Sequence, residues 1–171
     1  MSVASAAPFK SHPALKNLQV LVVDDDKKIA KLLRGVLMGL GFESVEVCHD
    51  CATALSVLES RKVDMMICDW QMEPMSGTEL VQQLRSRKGL ANQAIPVIML
   101  SGNSEKPQIE MARDIGVTEY VMKPFTARSL CSRIVAVIEN PRSFVLSKGF
   151  VGHNRRRKNV PATQERRRPK K

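Results

Sequence analysis

The chain has 171 residues and a formal net charge of +10, from 27 Lys and Arg against 17 Asp and Glu. A domain of this size buries roughly 70% of the surface of its unfolded chain, so it needs no disulfides to hold its core. The four cysteines are scattered, no apolar run approaches the roughly 18 residues that span a bilayer, and the N-terminal segment lacks the pattern of a signal peptide. We therefore expect a cytoplasmic protein in a reducing compartment.

The positive charge is unevenly distributed along the chain. Residues 1–140 contain 16 Lys and Arg against 16 Asp and Glu, whereas residues 141–171 contain 11 against 1. Few apolar residues follow Pro141, and the segment is too short for a second core, so we expect it to be largely disordered. The predicted organisation is an N-terminal extension at 1–16, one domain at 17–140, and a basic tail at 141–171.

From Gln19 onward, runs rich in β-branched residues alternate with segments of helical period, which indicates βα units that feed a parallel sheet. An apolar helical stripe follows the first run and ends at Gly41, and a last helix is predicted from a Thr126 cap to Asn140. In chain order, the predicted strands are QVLVV, SVEVC, VDMMIC, IPVIML and EYVM. The pattern predicts five strands and five helices.

Two of these strands have the pattern of sheet edges. The second run alternates, with Val45 and Val47 on one side and Glu46 on the other, and the fifth is short and starts at Glu119. With both at the edges, right-handed crossovers leave the strand order 2-1-3-4-5, with helices on both faces of the sheet. In that order, ligands bind in the crevice at the carboxyl ends of the first and third strands.

Acidic residues stand at both of these strand ends. Asp24, Asp25 and Asp26 follow the first strand, and Asp69 follows the third. Carboxylates gathered in one crevice repel one another unless a cation is present, and a pocket of oxygen ligands suits Mg²⁺. The third strand would then hold Asp69 rigidly as a nucleophile beside a metal site, an arrangement suited to phosphoryl transfer.

Four segments together resemble one family. They are VLVVDDD, ICDWQMEPMSG, VIMLSGN and YVMKPFT, and they are similar to the receiver domain of two-component response regulators, particularly the single-domain, chemotaxis-type regulators. The resemblance covers about residues 17–140 and implies the flavodoxin-like receiver fold. It also implies that Asp69 accepts a phosphoryl group from a phosphohistidine on a sensor histidine kinase or a histidine phosphotransfer protein. Such a protein catalyses its own phosphorylation and dephosphorylation and is a regulator rather than an enzyme.

The resemblance also implies roles for individual residues. Asp25, Asp69 and the backbone carbonyl of Gln71 would bind Mg²⁺ directly, and Asp24 would act through a coordinated water. Lys123 would pair with an oxygen of the phosphoryl group, whose added charge is about −1.5 to −2.

Ser101 and Tyr120 are implied to be the switch. Ser101 would donate its hydroxyl to the phosphoryl group, and the space that it vacates would admit the ring of Tyr120. The surface of the fourth helix, fifth strand and fifth helix would change as a result, and an output protein would bind there. The family further implies a cis peptide bond before Pro124 and a small residue, Gly102, that leaves the crevice open.

The chain departs from the family pattern at three positions after the acceptor. Many receivers have a proline four residues beyond the acceptor. Here that position is Glu73, and the proline is the next residue, Pro74. Gln71 lies where the family tunes the lifetime of the phosphorylated state, and Ser76 stands where an acid is frequent. None of these changes removes a reacting group.

Several conspicuous residues have a structural interpretation. Asp26 is predicted to cap the first helix, and Trp70 to be a partly exposed loop residue. Cys48 and Cys51 spell C-x-x-C, but they lie away from the predicted crevice, so we interpret them as structural. Cys68 and Cys131, similarly, are predicted to be small core residues.

The basic tail leaves two interpretations open. It either increases solubility or binds an acidic protein, RNA, DNA or anionic lipid electrostatically. Its apolar residues are also candidates to dock on the receiver, with the output face as one candidate position: Phe144, Val145, Leu146, Phe150 and Val151.

The predicted function is a stand-alone response regulator that switches protein interactions on phosphorylation of Asp69. One alternative is a nucleic-acid-binding regulator in which the tail binds RNA or DNA and phosphorylation controls release. Another is a phosphorelay intermediate or phosphate sink.

Overall fold

A computed structural model describes residues 15–102, 105–141, 144–147 and 150–153. Five strands alternate with five helices, and a two-stranded hairpin follows. In chain order the elements are β1 (Gln19–Val23), α1 (Lys27–Leu40), β2 (Ser44–Cys48), α2 (Cys51–Ser60), β3 (Met65–Asp69), α3 (Gly77–Ser86), β4 (Val97–Ser101), α4 (Lys106–Asp114), β5 (Glu119–Met122), α5 (Ala127–Glu139), β6 (Phe144–Ser147) and β7 (Phe150–His153). Within the described ranges, no helix has the length and apolarity needed to cross a membrane.

The first five strands form one parallel sheet in the order β2-β1-β3-β4-β5. The α/β class and the strand order predicted from the sequence are therefore confirmed. The edge strands are β2 and β5. In β2 every residue except the last is only partly buried, whereas β3 and β4 are buried along their whole length. The carboxyl ends of β1 and β3 are adjacent, because Val23 pairs with Cys68.

Alternate residues of the central strands line opposite faces of the sheet, as strand geometry requires. On one face, Leu21, Met66 and Met99 pack against α2 and α3 in the first core cluster. On the other, Val22 and Ile67 pack with side chains of α1 and α5 in the second. Both faces are thus covered, which explains why these strands are apolar without alternation.

The helix boundaries follow from local capping. Asp26 accepts the backbone N–H groups of Lys28 and Ile29 and caps α1, which ends at Gly41 with a left-handed φ of 102°. Thr126 caps α5, and Asn140 ends it. These boundaries agree with the predicted ones. The core does extend further in the N-terminal direction than predicted, because Leu15 is 5% exposed and belongs to the second core cluster.

The predicted disorder of the tail is wrong for part of it. Strands β6 and β7 pair antiparallel, with Phe144 opposite His153 and Val145 opposite Gly152. Strand β7 lies against α3 and α4, and Gly152 is buried. The prediction rested on the charge of the whole tail, whereas most of its basic residues follow His153, after a short stretch that is apolar enough to form a hairpin. The remaining tail and most of the N-terminal extension lie outside the described residues.

Candidate functional site

Three carboxylates meet at the carboxyl end of the sheet. Oxygen atoms of Asp24, Asp25 and Asp69 all lie within 4.8 Å of one another. Asp24 directly follows β1 and is fully buried, Asp69 ends β3 with 8% exposure, and Asp25 is exposed. Asp26 belongs to the cap of α1 instead. The strand order therefore brings together the carboxylates that the sequence placed in one crevice.

The Asp24 carboxylate is held from two sides. Its Oδ1 accepts the backbone N–H of Asp26 at 2.9 Å, and its Oδ2 lies 3.3 Å from Nζ of Lys123. Burial raises the pKa of Asp24, and the nearby Asp69 raises it further, while the charge of Lys123 opposes both effects. The pocket thus favours a positive charge near Asp24.

Asp69 is oriented by its own neighbours in the chain. Its Oδ1 accepts the backbone N–H of Trp70 at 2.8 Å and lies 2.9 Å from Nζ of Lys123. The same Trp70 N–H donates to the carbonyl of Leu100 at 2.8 Å, which fixes the peptide after Asp69 against β4. The carboxylate is therefore fixed at the end of a buried strand, and 11% of the Asp69 side chain remains exposed.

Lys123 directly follows β5 and is the cation of this cluster. Burial lowers the pKa of Lys123, but the hydrogen bond that it donates to Asp69 and the charges of Asp24 and Asp69 outweigh this effect, so the pKa is raised overall. The ammonium is therefore charged at neutral pH. Its backbone N–H donates to the carbonyl of Ser101 at 2.7 Å, which joins the ends of β4 and β5.

The other residues named from the sequence lie around this cluster. Ser101 ends β4 and is 2% exposed, while Gln71 follows Trp70 and is exposed. The Tyr120 ring, on β5, makes an edge-to-face contact with the ring of Trp70, with centroids 6.3 Å apart and an interplanar angle of 76°. Trp70 is partly buried, as predicted.

The loop after Asp69 contains the departures from the family pattern. The peptide bonds before Pro124 and Pro74 are both cis; the first was implied by the resemblance, and the second was not expected. Ser76 caps α3 in a capping box with Glu79. Serine therefore has a local structural role at the position where the family often has an acid.

Two further residues support this loop, and the sequence did not indicate this role for either of them. A Cβ on Gly77 would overlap the carbonyl oxygen of Asp69, so no larger residue fits there without a backbone shift. The Gly77 N–H donates to the carbonyl of Trp70 at 3.0 Å. The Cys51 thiol donates to the carbonyl of Met75 at 3.1 Å. The available signal for Gly77 was a glycine shortly after the third predicted strand, but its close contact with β3 is evident only in the tertiary structure.

The cysteines have the properties of structural residues. All four are free thiols in buried positions. Burial and neighbouring carboxylates raise the pKa of Cys48 and the pKa of Cys51 to about 11 each. At neutral pH these thiols remain protonated, which is unfavourable for redox or metal chemistry at the C-x-x-C sequence.

The chemistry of this donor set suits a hard divalent cation. It consists of carboxylate oxygens without a histidine or thiol in the cluster, and one member, Asp25, is exposed. Mg²⁺ prefers such oxygen ligands and retains several waters when it binds one or two carboxylates. A partly accessible carboxylate, an acidic cluster that suits a cation and a charged lysine form an arrangement that can stabilise the oxygens of a phosphoryl group.

Comparisons with known proteins agree with this geometry. The family model for the response regulator receiver domain matches residues 20–135. Chemotaxis protein CheY-3 of Vibrio cholerae is 32% identical over 124 residues, covering 72% of this chain and 94% of that protein. Chemotaxis protein CheY of Pseudomonas aeruginosa is 34% identical over 122 residues, covering 71% and 97%.

Solved structures show the same similarity. Chemotaxis protein CheY4 of Vibrio cholerae superposes with a TM-score of 0.65 at 26% identity, covering 70% of this chain and 98% of that one. The receiver domain of the Francisella response regulator 1452 gives a TM-score of 0.64 at 31% identity, covering 72% and 98%. Receivers bind Mg²⁺ through an acidic cluster of the kind formed by Asp24, Asp25 and Asp69. The chain belongs to the response regulator receiver-domain family and is a CheY-like two-component response regulator.

Proposed function

We propose that this response regulator accepts a phosphoryl group on Asp69 and thereby switches its interactions with an output protein. The observation that carries the proposal is the position of Lys123, whose Nζ lies 2.9 Å from Asp69 and 3.3 Å from Asp24 at the end of the sheet. A charged lysine beside a reactive carboxylate and an acidic cation site is the arrangement that phosphoryl transfer requires.

In the reaction, an Asp69 oxygen attacks the phosphorus of a phosphohistidine on a sensor histidine kinase or a phosphotransfer protein. The new bond joins oxygen to phosphorus, the bond from phosphorus to nitrogen breaks, and the imidazole leaves with the electron pair. Asp25, Asp69 and the Gln71 carbonyl would hold Mg²⁺, with Asp24 bound through a water. The ion supplies charge stabilisation for the phosphoryl oxygens. Hydrolysis of the acyl phosphate at the same site returns the protein to its starting state.

The response to phosphorylation starts at the other two strand ends. Lys123 pairs with one phosphoryl oxygen, and the hydroxyl of Ser101 donates to another. Tyr120 follows into the space beside β4 and changes the surface formed by α4, β5 and α5. On that surface Met111 is 45% exposed and Met122 is 50% exposed, which supports its use by an output protein.

The test uses Trp70, the single tryptophan of the chain. Its fluorescence is followed while Mg²⁺ and then beryllium fluoride, which mimics a phosphoryl group on a carboxylate, are added to the full-length protein. We expect a saturable response that Asp69→Asn abolishes. In parallel, a radiolabelled small-molecule phosphodonor should label the wild type and leave Asp69→Asn unlabelled. Equal labelling of both proteins would disprove the role of Asp69.

The composition of the tail supports a second candidate. Residues 141–171 contain 11 Lys and Arg and 1 acidic residue. This charge fits a regulator that binds RNA or DNA, with release controlled by phosphorylation. Replacing Arg155, Arg156 and Arg157 together by Gln separates the candidates. Nucleic-acid binding that falls with salt and is lost in this variant supports the second candidate, and partner binding that requires modified Asp69 and survives in it supports the first. A phosphorelay intermediate would instead return the label from Asp69 to a histidine protein.

A further inference from the structure

We propose that the β6–β7 hairpin is a strap that holds α4 in the arrangement of the unphosphorylated site, and that phosphorylation of Asp69 weakens its hold. The inference rests on the proposed function and adds a regulatory element to it. The hairpin comes from the tail, yet it lies on the receiver, against α3 and α4.

The hairpin is anchored at one end by an aromatic contact with a buried cation. The ring of Phe144 lies over the guanidinium of Arg85, with 5.5 Å between the guanidinium carbon and the ring centroid. Phe144 and Val145 are half-buried, and Gly152 on the paired strand is buried. Close approach of β7 to the helices is consistent with the absence of a side chain at Gly152.

Arg85 connects this anchor to the end of α4. The side chain is 3% exposed and donates to the carbonyls of Gln93, Ile95 and Gly116. The shortest of these distances to Ile95 is 2.7 Å, and the shortest to Gly116 is 3.0 Å. Burial lowers the pKa of Arg85 to about 10, so the group remains charged at neutral pH. One cation thus joins α3, the loop before β4, the turn after α4 and the hairpin.

Helix α4 is the element that can transmit a change between the site and the hairpin. Its N-terminal end follows Ser101 by a short connection, its C-terminal turn is bonded to Arg85, and β7 lies along it. Of the α4 side chains that the structure describes, Ala112 is the buried one. The helix therefore has few core contacts to fix its position, and elements of low local stability are the ones that move in switches.

Movement of Ser101 toward a phosphoryl group pulls on the segment that leads into α4. In this structure Lys123 Nζ lies 2.9 Å from Oδ1 of Asp69, so the lysine is paired with the carboxylate itself. The hairpin therefore binds the position that α4 has while this pair is intact, and a shift of α4 costs contacts with β7. By thermodynamic linkage, the hairpin must then weaken the binding of a phosphoryl mimic, and the mimic must loosen the hairpin by the same factor.

The experiment measures the affinity of the full-length protein for beryllium fluoride in saturating Mg²⁺, read from Trp70 fluorescence. Phe144→Ala removes the anchor and should raise the affinity about fivefold, the lower end of typical coupling between sites. Phe144→Tyr keeps the ring and should leave the affinity at the wild-type value. Gly152→Asp places a charged side chain where β7 meets the helices and provides a second, independent way of loosening the hairpin.

The reciprocal measurement is amide hydrogen exchange in β7 of the wild type. Beryllium fluoride should speed exchange at Gly152 and its neighbours, and Asp69→Asn should show no such effect. If Phe144→Ala and Gly152→Asp both bind beryllium fluoride with wild-type affinity, the strap is refuted and the proposed function stands. If the wild type gives no response that depends on Asp69, both proposals fail.

Discussion

The ammonium of Lys123 lies 2.9 Å from Oδ1 of Asp69, although the two residues are 54 positions apart, one at the end of β3 and the other directly after β5. The pair forms because β3, β4 and β5 are parallel neighbours whose carboxyl ends share one edge. A cation in this position neutralises part of the acidic cluster and lies where it could pair with the phosphoryl group that the proposed reaction adds to Asp69.

Removing the charge of Lys123 should separate these two roles. Lys123→Met leaves the carboxylates of Asp24 and Asp69 without a cation, so Mg²⁺ should bind more tightly, by roughly tenfold for a unit charge a few ångströms from a divalent ion. The same variant should lose the fluorescence response of Trp70 to beryllium fluoride. Lys123→Arg keeps the charge and serves as the control for Mg²⁺ affinity. An unchanged affinity in Lys123→Met would show that the ammonium does not compete with the cation.

The buried Asp24 makes stability depend on pH. Because burial raises the pKa of Asp24 above 3.8 in the folded state, the folded protein holds a proton that the unfolded chain has already lost. The contribution of this group to stability therefore decreases as pH rises from about 3.8 through the raised pKa. Asparagine does not titrate, so the stability of Asp24→Asn should increase relative to that of the wild type as the pH rises over that range. Urea unfolding at a series of pH values without Mg²⁺ measures the difference, and added Mg²⁺ should reduce it. A difference that does not vary with pH would contradict the assignment to Asp24.

Gly77 should tolerate no side chain. A Cβ there would overlap the carbonyl oxygen of Asp69 and lie 2.9 Å from Sγ of Cys68. Gly77→Ala should therefore cost about 2 kcal/mol in the free energy of unfolding, typical of overpacking, and should also slow phosphorylation by displacing Asp69. Gly35→Ala is the matched control, because nothing lies within 4 Å of a Cβ at that position in α1. It should stabilise the protein by up to about 1 kcal/mol. Similar stabilities for the two variants would contradict the predicted overlap.

The sequence predicted the sheet well because its signals are local. The buried strands are apolar throughout, and the predicted runs match the observed strands to within two residues. The strand order followed from the edge character of the second and fifth runs, since Glu46 and Glu119 lie on the observed edge strands. The convergence of Asp24, Asp25 and Asp69 then followed from topology alone.

The parts that the sequence did not predict depend on contacts between distant segments. Arginine is usually a surface residue. The burial of Arg85 depends on carbonyls from two loops that meet only in the folded chain. The hairpin was obscured by the charge of the surrounding tail, although Phe144, Val145 and Leu146 had been named as docking candidates. The docking site differs from the predicted output face, because β7 lies on α3 as well as α4.

The contact between Tyr120 and Trp70 should make fluorescence sensitive to the switch. The two rings meet edge to face, an arrangement that contributes about 1 kcal/mol beyond the area it buries. Tyr120→Ala should expose the indole, shift its emission to longer wavelength and reduce its response to beryllium fluoride. Tyr120→Phe retains the ring and should keep the wild-type spectrum. A wild-type emission maximum in Tyr120→Ala would show that the contact does not shield Trp70.

Arg85 should be among the most sensitive positions outside the acidic cluster. Arg85→Met leaves the carbonyls of Gln93, Ile95 and Gly116 without this donor, and each buried acceptor that loses its partner costs about 1–3 kcal/mol. We expect an overall loss of about 3 kcal/mol in urea unfolding, a value that allows for partial rearrangement. Arg85→Lys should recover little of it, because one ammonium cannot reproduce the planar fork of donors.

The control for this substitution is Arg133→Lys, since the Arg133 side chain is 48% exposed and makes one ion pair, with Glu119. Its stability should stay within about 0.5 kcal/mol of the wild type. Limited proteolysis should also cut the hairpin of Arg85→Met faster than that of the wild type, because Phe144 loses the cation beneath its ring. If Arg85→Met unfolds at the wild-type urea concentration, the three carbonyls have other donors, and Arg85 does not hold the hairpin and the two loops together.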